Sequence, residues 1–177
     1  IALANPLSAD LGFMRTSLLP GLVAALATNR RRQQERVRLF EVGNVFSDGG
    51  VVGENPADHY PKTTATPTET MRIGGVACGG AFAEQWSETR RVVDFFDVKG
   101  DVESLFALTN RTREFSSIAT APPWLQPGQA AELRRGERRI GWLGALHPDL
   151  LKALDIEYDV FVFELDVEAI SARALPG

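Results

Sequence analysis

The sequence holds one cysteine, Cys78, and two histidines far apart, His59 and His147. A single thiol makes no intrachain disulfide, and with two separated imidazoles it does not assemble an ordinary structural zinc site. A reducing, cytoplasmic setting follows as the expectation. No apolar run reaches the roughly 20 residues of a membrane span, and no signal-peptide pattern precedes Ile1, so no membrane partner is expected. Charge of one sign is also lacking. The net charge is −4, with nine basic and nine acidic residues over 1–90 and ten against fourteen over 91–177. That balance excludes a broad polyanion-binding surface. At 177 residues the chain suits one domain over 1–177, able to bury roughly 70% of the surface its unfolded form exposes. It opens at Ile1 without Met and stops at Leu175-Pro176-Gly177, as expected of a domain cut from a longer chain.

What is present is organised around Arg15 to Phe46. Leu18, Leu22 and Leu26 recur at i, i+4, i+8 with Leu19 and Val23 beside them, which predicts a helix from near Leu18 to Arg32. Ser17 or Thr16 is placed to cap it, and Pro20 falls in the first turn, where its missing donor costs little. Arg30, Arg31 and Arg32 complement the negative end of the helix dipole. Ala24, Ala25 and Ala27 leave a second small-residue face, and Gly21 predicts that another backbone approaches closely there. From Val37 the period changes to alternation. Leu39, Glu41 and Gly43 point one way and Arg38, Phe40 and Val42 the other, which predicts a strand central in a sheet. Glu41 within it requires a partner.

Asn5-Pro6-Leu7-Ser8 reads as a turn, and residues 47–70, rich in Gly, Pro and Thr, as a mobile loop excursion. Met71 to Cys78 reads as a second strand whose Gly74 and Gly75 mark a bulge or a close neighbour. Asp94 to Leu108 predicts a second helix capped by Asp94, with Asp97 in its first turn and a stripe of Phe95, Val98, Val102, Leu105 and Phe106. Gly100 in its middle suits close packing on a sheet. Phe115 to Ile118 reads as a short strand. Gln129 to Arg134 and Arg138 to Leu146 form a hairpin through Arg135-Gly136-Glu137. A short helix over Leu150 to Leu154, a strand over Asp159 to Asp166 and a closing helix from Val167 to Ala174 complete an α+β fold, a mostly antiparallel sheet with helices on one face.

Residue chemistry alone yields no catalytic residues. There is no G-x-S-x-G elbow, and His147 beside Pro148 reads as a turn residue. Gly74-Gly75 and Gly79-Gly80 match neither phosphate-binding glycine pattern. Glu164, Asp166 and Glu168 alternate along a strand and its exit, without a second carboxylate cluster to make a metal site.

The order of the pieces carries more. The blocks NPLSADLGFMRTSLLPGLVAALATNRRRQQERVRLFEVGNVF, DFFDVKGDVESLF, LQPGQAA, GWLGALHPDLLKALDI and VFVFELDV together resemble the core domain of the bacterial phenylalanyl-tRNA synthetase β subunit family. The resemblance implies the antiparallel fold of class II aminoacyl-tRNA synthetases, in a duplicated catalytic module that has lost its chemistry. The α subunit of that family holds ATP, phenylalanine and Mg²⁺, and no cofactor or metal is implied for this chain. Active class II domains carry a Gly-rich segment ending in Glu-Arg on the last core strand and helix. Here that segment is Val160 to Val167, without glycine or arginine, and its Glu164 and Asp166 would repel a triphosphate. Glu41 likewise follows Phe40 in place of the Arg-containing second signature.

The resemblance further implies an assembly domain packing on the α subunit in an (αβ)₂ heterotetramer, through the helix carrying Leu18, Leu19, Leu22, Val23, Ala24, Leu26 and Ala27. Transfer RNA contacts fall mainly to other domains of the β chain. Two rivals come from other classes. A self-sufficient small-molecule enzyme requires a pocket of convergent titratable groups. A free-standing RNA-binding module would use Arg30, Arg31, Arg32, Arg36 and Arg38, although no aromatic residues are interleaved with them.

Overall fold

A computed structural model describes residues 14–47, 67–83 and 91–172. The predicted turn at Asn5 to Ser8, most of the predicted 47–70 excursion and the end of the predicted closing helix lie outside the described residues. The first helix, α1, spans Leu19–Arg31, with Pro20 in its first turn and Arg30 and Arg31 in its last. Leu18 occupies the cap position and has no side chain that can cap. The exposed N–H groups are satisfied otherwise: Leu19 donates to Ser17 Oγ at 3.1 Å, and Leu18 donates to Glu164 at 2.6 Å. Ser17 therefore contributes as expected, but shares the task with a carboxylate from the far end of the chain.

Strand β1 (Val37–Ser47) pairs antiparallel with β2 (Thr68–Cys78) without a register shift. Thr68 to Thr70, expected in the loop excursion, are the first residues of β2. Helix α2 (Phe95–Ala107) is capped by Asp94 with Asp97 in its first turn, as its sequence predicted, and the two close a reciprocal capping box that the sequence reading did not include. A 3-10 turn at Thr112–Glu114 leads into β3 (Phe115–Ala119). β4 (Leu125–Arg135) and β5 (Arg138–Leu146) form the expected hairpin, turning at Gly136 with φ 57°. α3 (Pro148–Ala153), β6 (Phe161–Asp166) and α4 (Val167–Ser171) follow. His147 caps α3 by accepting from Asp149 N–H at 3.2 Å, the turn role its context indicated.

The six strands form one antiparallel sheet in the order β1-β2-β6-β5-β4-β3. Two expectations are corrected here. β1 is an edge strand and not a central one: its Phe40 and Val42, apolar enough to read as core, are 75% and 51% exposed. The helices cover both faces and not one. Leu18, Leu22, Leu26 and Val162 belong to a core on the α1 side, where Leu151 of α3 also packs. Val98, Val102, Phe106, Phe163, Leu165 and Ala169 of α4 form a second core on the other. Alternation along β6, with Val162 on one side and Phe161, Phe163 and Leu165 on the other, is what two covered faces require.

The glycines sort by what they face. A side chain at Gly74 would press on Leu22 Cδ1 at 3.2 Å and Leu18 Cβ at 3.4 Å, and one at Gly75 would enter the Phe163 ring. Their pairing thus reflects close neighbours on both sides of β2. Gly21 and Gly100 face open space, so the close approach expected at each is absent among the described residues. Arg135 is 2% exposed and fastens the second core, donating to Glu114 at 2.8 Å and to the Ala169 carbonyl at 2.7 Å.

Candidate functional site

Register places five residues in one row across the sheet: Glu41 opposite Gly74, Gly74 opposite Glu164, Glu164 opposite Trp142, and Trp142 opposite Glu132. Alternation puts them on the face that carries α1. Gly74 leaves space in the row for the first turn of that helix. The result is a row of three carboxylates beneath a helix N-terminus: the free N–H groups of such a terminus attract an anion, but the carboxylates under this one repel it.

The donors are occupied from within the chain. Glu164, 6% exposed, accepts from Leu18 N–H at 2.6 Å and from the Ser17 hydroxyl at 3.0 Å, and pairs with Arg72 at 2.8 Å. Glu41 finds the partner its position required in Arg15, at 2.5 Å. Arg15 also donates to the Asn44 carbonyl at 2.7 Å, and its own carbonyl accepts from Phe46 N–H at 2.8 Å. Glu132 pairs with Arg134 at 2.5 Å. Asp166 pairs with Arg138 at 2.7 Å and caps α4 by accepting from Ala169 N–H at 2.9 Å. Arg139 lies over the Trp142 ring, 5.7 Å from its centre. Each carboxylate of the row has its own arginine, and the α1 N-terminus, which would otherwise attract phosphate, already holds Glu164.

Other reactive groups are similarly restrained. Burial pushes the Cys78 thiol up from its ordinary value, against the lowering influence of Arg30, which makes it a poor nucleophile at neutral pH. Among the described residues no group of three His, Cys, Asp or Glu side chains could hold a metal ion. No helix among them is long and apolar enough to cross a membrane. Glu168, grouped by sequence with Glu164 and Asp166, lies in the first turn of α4.

Of the seven residues expected at a subunit interface, Leu18, Leu19, Leu22, Val23, Leu26 and Ala27 are buried in this chain's own core, and Ala24 alone is exposed. The outward surface of α1 is Pro20, Gly21, Ala24, Ala25 and Thr28. The opposite face of the sheet offers more apolar surface. A cleft of about 300 Å³ lined by Phe40, Ile73, Val98, Leu105 and Phe163 adjoins one of about 460 Å³ lined by Val42, Ile73, Leu105, Leu108 and Ile170. Phe40 and Leu108 are 75% and 80% exposed there. Of the arginines considered for RNA, Arg30 is tied to the Gln34 and Glu35 carbonyls and Arg38 to Asp101, while Arg31, Arg32 and Arg36 are exposed.

Sequence reasoning missed Glu132 as a member of the row and Arg15 and Arg72 as partners of its carboxylates, and it read Ser17 as a helix cap without its bond to Glu164. Only the unpaired Glu41 inside a strand signalled that such partners had to exist.

Residues 1–167 match the family model described as the phenylalanyl tRNA synthetase beta chain CLM domain. The phenylalanine–tRNA ligase beta subunit of Xylella fastidiosa (strain Temecula1) is 48% identical over 176 residues, which are 99% of this chain and 21% of that relative. The beta subunit of Xanthomonas campestris pv. campestris (strain 8004) is 46% identical over 176 residues, 99% of this chain and 20% of that relative. The chain thus spans about a fifth of the length of these curated relatives. Among solved structures, a pyrrolysyl-tRNA synthetase from Desulfitobacterium hafniense superposes with a TM-score of 0.56 at 15% identity, over 91% of this chain and 54% of that one. That likeness is one of fold, the antiparallel sheet of class II synthetases, as the sequence blocks implied. On the match across 1–167 and these two relatives, the chain belongs to the family of the phenylalanyl-tRNA synthetase beta chain CLM domain.

Proposed function

We propose that this domain is the non-catalytic, synthetase-like core of a phenylalanine–tRNA ligase β subunit. It packs on the catalytic α subunit in a cytoplasmic (αβ)₂ heterotetramer, and the holoenzyme attaches phenylalanine to its tRNA. ATP and Mg²⁺ are used by the α subunit, and this domain holds no cofactor. One observation carries the non-catalytic reading: Glu164 occupies the N-terminus of α1 and is neutralised there by Arg72. A triphosphate entering that position would meet a carboxylate in place of free N–H groups, and its approach would have to break three existing interactions.

The larger apolar surface available for packing on the α subunit is the cleft face bearing Phe40, Val42 and Leu108. Contiguous apolar exposure of this kind marks protein contact surfaces. The α1 face around Ala24 is smaller and carries no large side chain.

The test compares phenylalanine-dependent pyrophosphate exchange by this chain alone with aminoacylation by the full-length β chain assembled with its α subunit. No exchange by the chain alone, and aminoacylation that is lost when this domain is deleted from the assembly, is the expected result. Exchange that survives removal of host enzyme would overturn the non-catalytic reading, and full activity without the domain would overturn its architectural role.

A further inference from the structure

The turn that follows α1 is held by several hydrogen bonds and presents three exposed arginines. Gln33 adopts φ 66°, and its N–H donates to the Arg30 carbonyl at 2.9 Å while Gln34 N–H donates to the Asn29 carbonyl at 3.2 Å. Arg30 closes the turn from the side, donating to the Gln34 carbonyl at 3.0 Å and the Glu35 carbonyl at 2.7 Å, with its guanidinium 4.6 Å from the centre of the Tyr158 ring. Gly79, at φ 80°, seats against the Glu35 backbone, where no side chain fits.

Arg31, Arg32 and Arg36 project from this frame, exposed, and their side chains make no hydrogen bond or ion pair among the described residues. Seven other arginines of the described chain pair with carboxylates: Arg15 with Glu41, Arg38 with Asp101, Arg72 with Glu164, Arg91 with Asp97, Arg134 with Glu132, Arg135 with Glu114 and Arg138 with Asp166. Arg111 donates to the Ala172 carbonyl, Arg139 lies over the Trp142 ring, and Arg113 is exposed. What sets Arg31, Arg32 and Arg36 apart is their clustering: three exposed guanidinium groups within six residues on one preformed turn.

We infer that Arg31, Arg32 and Arg36 contact the phosphodiester backbone of RNA, the tRNA substrate if the proposed function holds. This inference rests on that reading for the identity of the RNA. The chemistry favours phosphates over bases. Guanidinium groups match phosphate oxygens in pairs of hydrogen bonds, and the ring of Tyr158 beside the turn is already covered by Arg30 and is not open for stacking. Binding should therefore be insensitive to sequence and sensitive to salt. Glu35 within the turn and Glu157 and Asp159 beside Tyr158 confine the positive surface to the three arginines.

The experiment uses the full-length β chain assembled with its catalytic subunit and measures the Kd for unmodified tRNA as a function of salt. Three forms are compared: wild type, R31Q/R32Q/R36Q and R31K/R32K/R36K. The glutamine form should bind about 10- to 100-fold more weakly at low salt, with the slope of log Kd against log salt reduced by about 2–3. The lysine form should keep most of the affinity and the slope, since lysine still serves a phosphate as a point charge. Thermal unfolding and co-purification of the catalytic subunit report fold and assembly. Unchanged affinity and slope in the glutamine form, or equal loss in both forms, overturns the inference. So does loss of the catalytic subunit from the glutamine form, which would make the turn an assembly contact. A wild-type assembly that binds tRNA but does not charge it with phenylalanine would instead refute the proposed function and leave this comparison decisive.

Discussion

The backbone N–H of Leu18 donates to Glu164 Oε1 at 2.6 Å, joining positions 146 residues apart in the chain. The same carboxylate holds Ser17 and Arg72, so one side chain satisfies the start of α1 and the centre of the sheet together. Glu164→Ala should cost about 2–4 kcal/mol of folding free energy, because it strands a backbone donor and a partly buried guanidinium. Glu164→Gln keeps an acceptor oxygen and should cost about 1–2 kcal/mol. Urea unfolding of both variants measures this, and values within 0.5 kcal/mol of wild type for both would show that the network does not support the fold.

Asp97 should make stability depend on acid pH. Two hydrogen bonds of 2.6 Å from Arg91 hold its carboxyl at about 2, against an ordinary 3.8, although burial opposes them. A carboxyl depressed in the folded state contributes stability that is fully present above about pH 4 and is lost as pH falls toward 2. The stability difference between wild type and Asp97→Asn should therefore be present at pH 6 and shrink over that interval. A difference that stays constant from pH 6 to pH 2 would contradict this account.

The two alanines of α1 that the sequence left equivalent are separated by the structure. Ala27 is 9% exposed and packs in the α1-side core, whereas Ala24 is exposed. Ala27→Glu should unfold or strongly destabilise the domain, by about 3 kcal/mol or more, through an unpaired buried charge. Ala24→Glu should leave the melting temperature nearly unchanged. If Ala24→Glu also leaves co-purification with the α subunit intact, the outer face of α1 lies outside the assembly contact.

Phe40 and Val42 provide the complementary test on the opposite face. Phe40→Ser with Val42→Thr removes exposed apolar area from the edge strand and should leave thermal unfolding within about 2–4 °C of wild type. Capture of the catalytic subunit should fall by about tenfold or more, as expected when aromatic anchors of an interface are truncated. Unaltered capture would show that the cleft face is not where the subunit packs.

Much of the fold was legible because periodicity and capping are local. The α1 stripe, the Asp94 cap, the Arg135-Gly136-Glu137 turn and the alternation before Asp166 each identify an element from a few neighbouring residues. What was not legible depends on distant partners. Apolar residues on both sides of β1 read as a central strand, but Phe40 and Val42 border open clefts at an edge. Helices on both faces follow from the burial of Phe163 opposite Val162, which alternation allows but does not require. At the candidate site, Glu41 advertised a missing partner, yet nothing near it in the chain identified Arg15. Glu164 read as a charge hostile to triphosphate. That it also caps α1 depends on β6 lying beneath that helix, a matter of topology and not of spacing.

β6 is the last strand of the sheet to be made and lies between β2 and β5, the inner edges of two earlier groups. During translation, β1 can pair with β2 and β4 with β3 and β5, but neither group can join the other until Phe161 to Asp166 has cleared the ribosome. A nascent chain stalled before that point presents two open sheet edges, those of β2 and β5, and an α1 whose first N–H still lacks Glu164. Unpaired edges of this kind are the sites at which chains cross-pair and aggregate, so the interval between the emergence of β5 and that of β6 is the one in which these edges stand open.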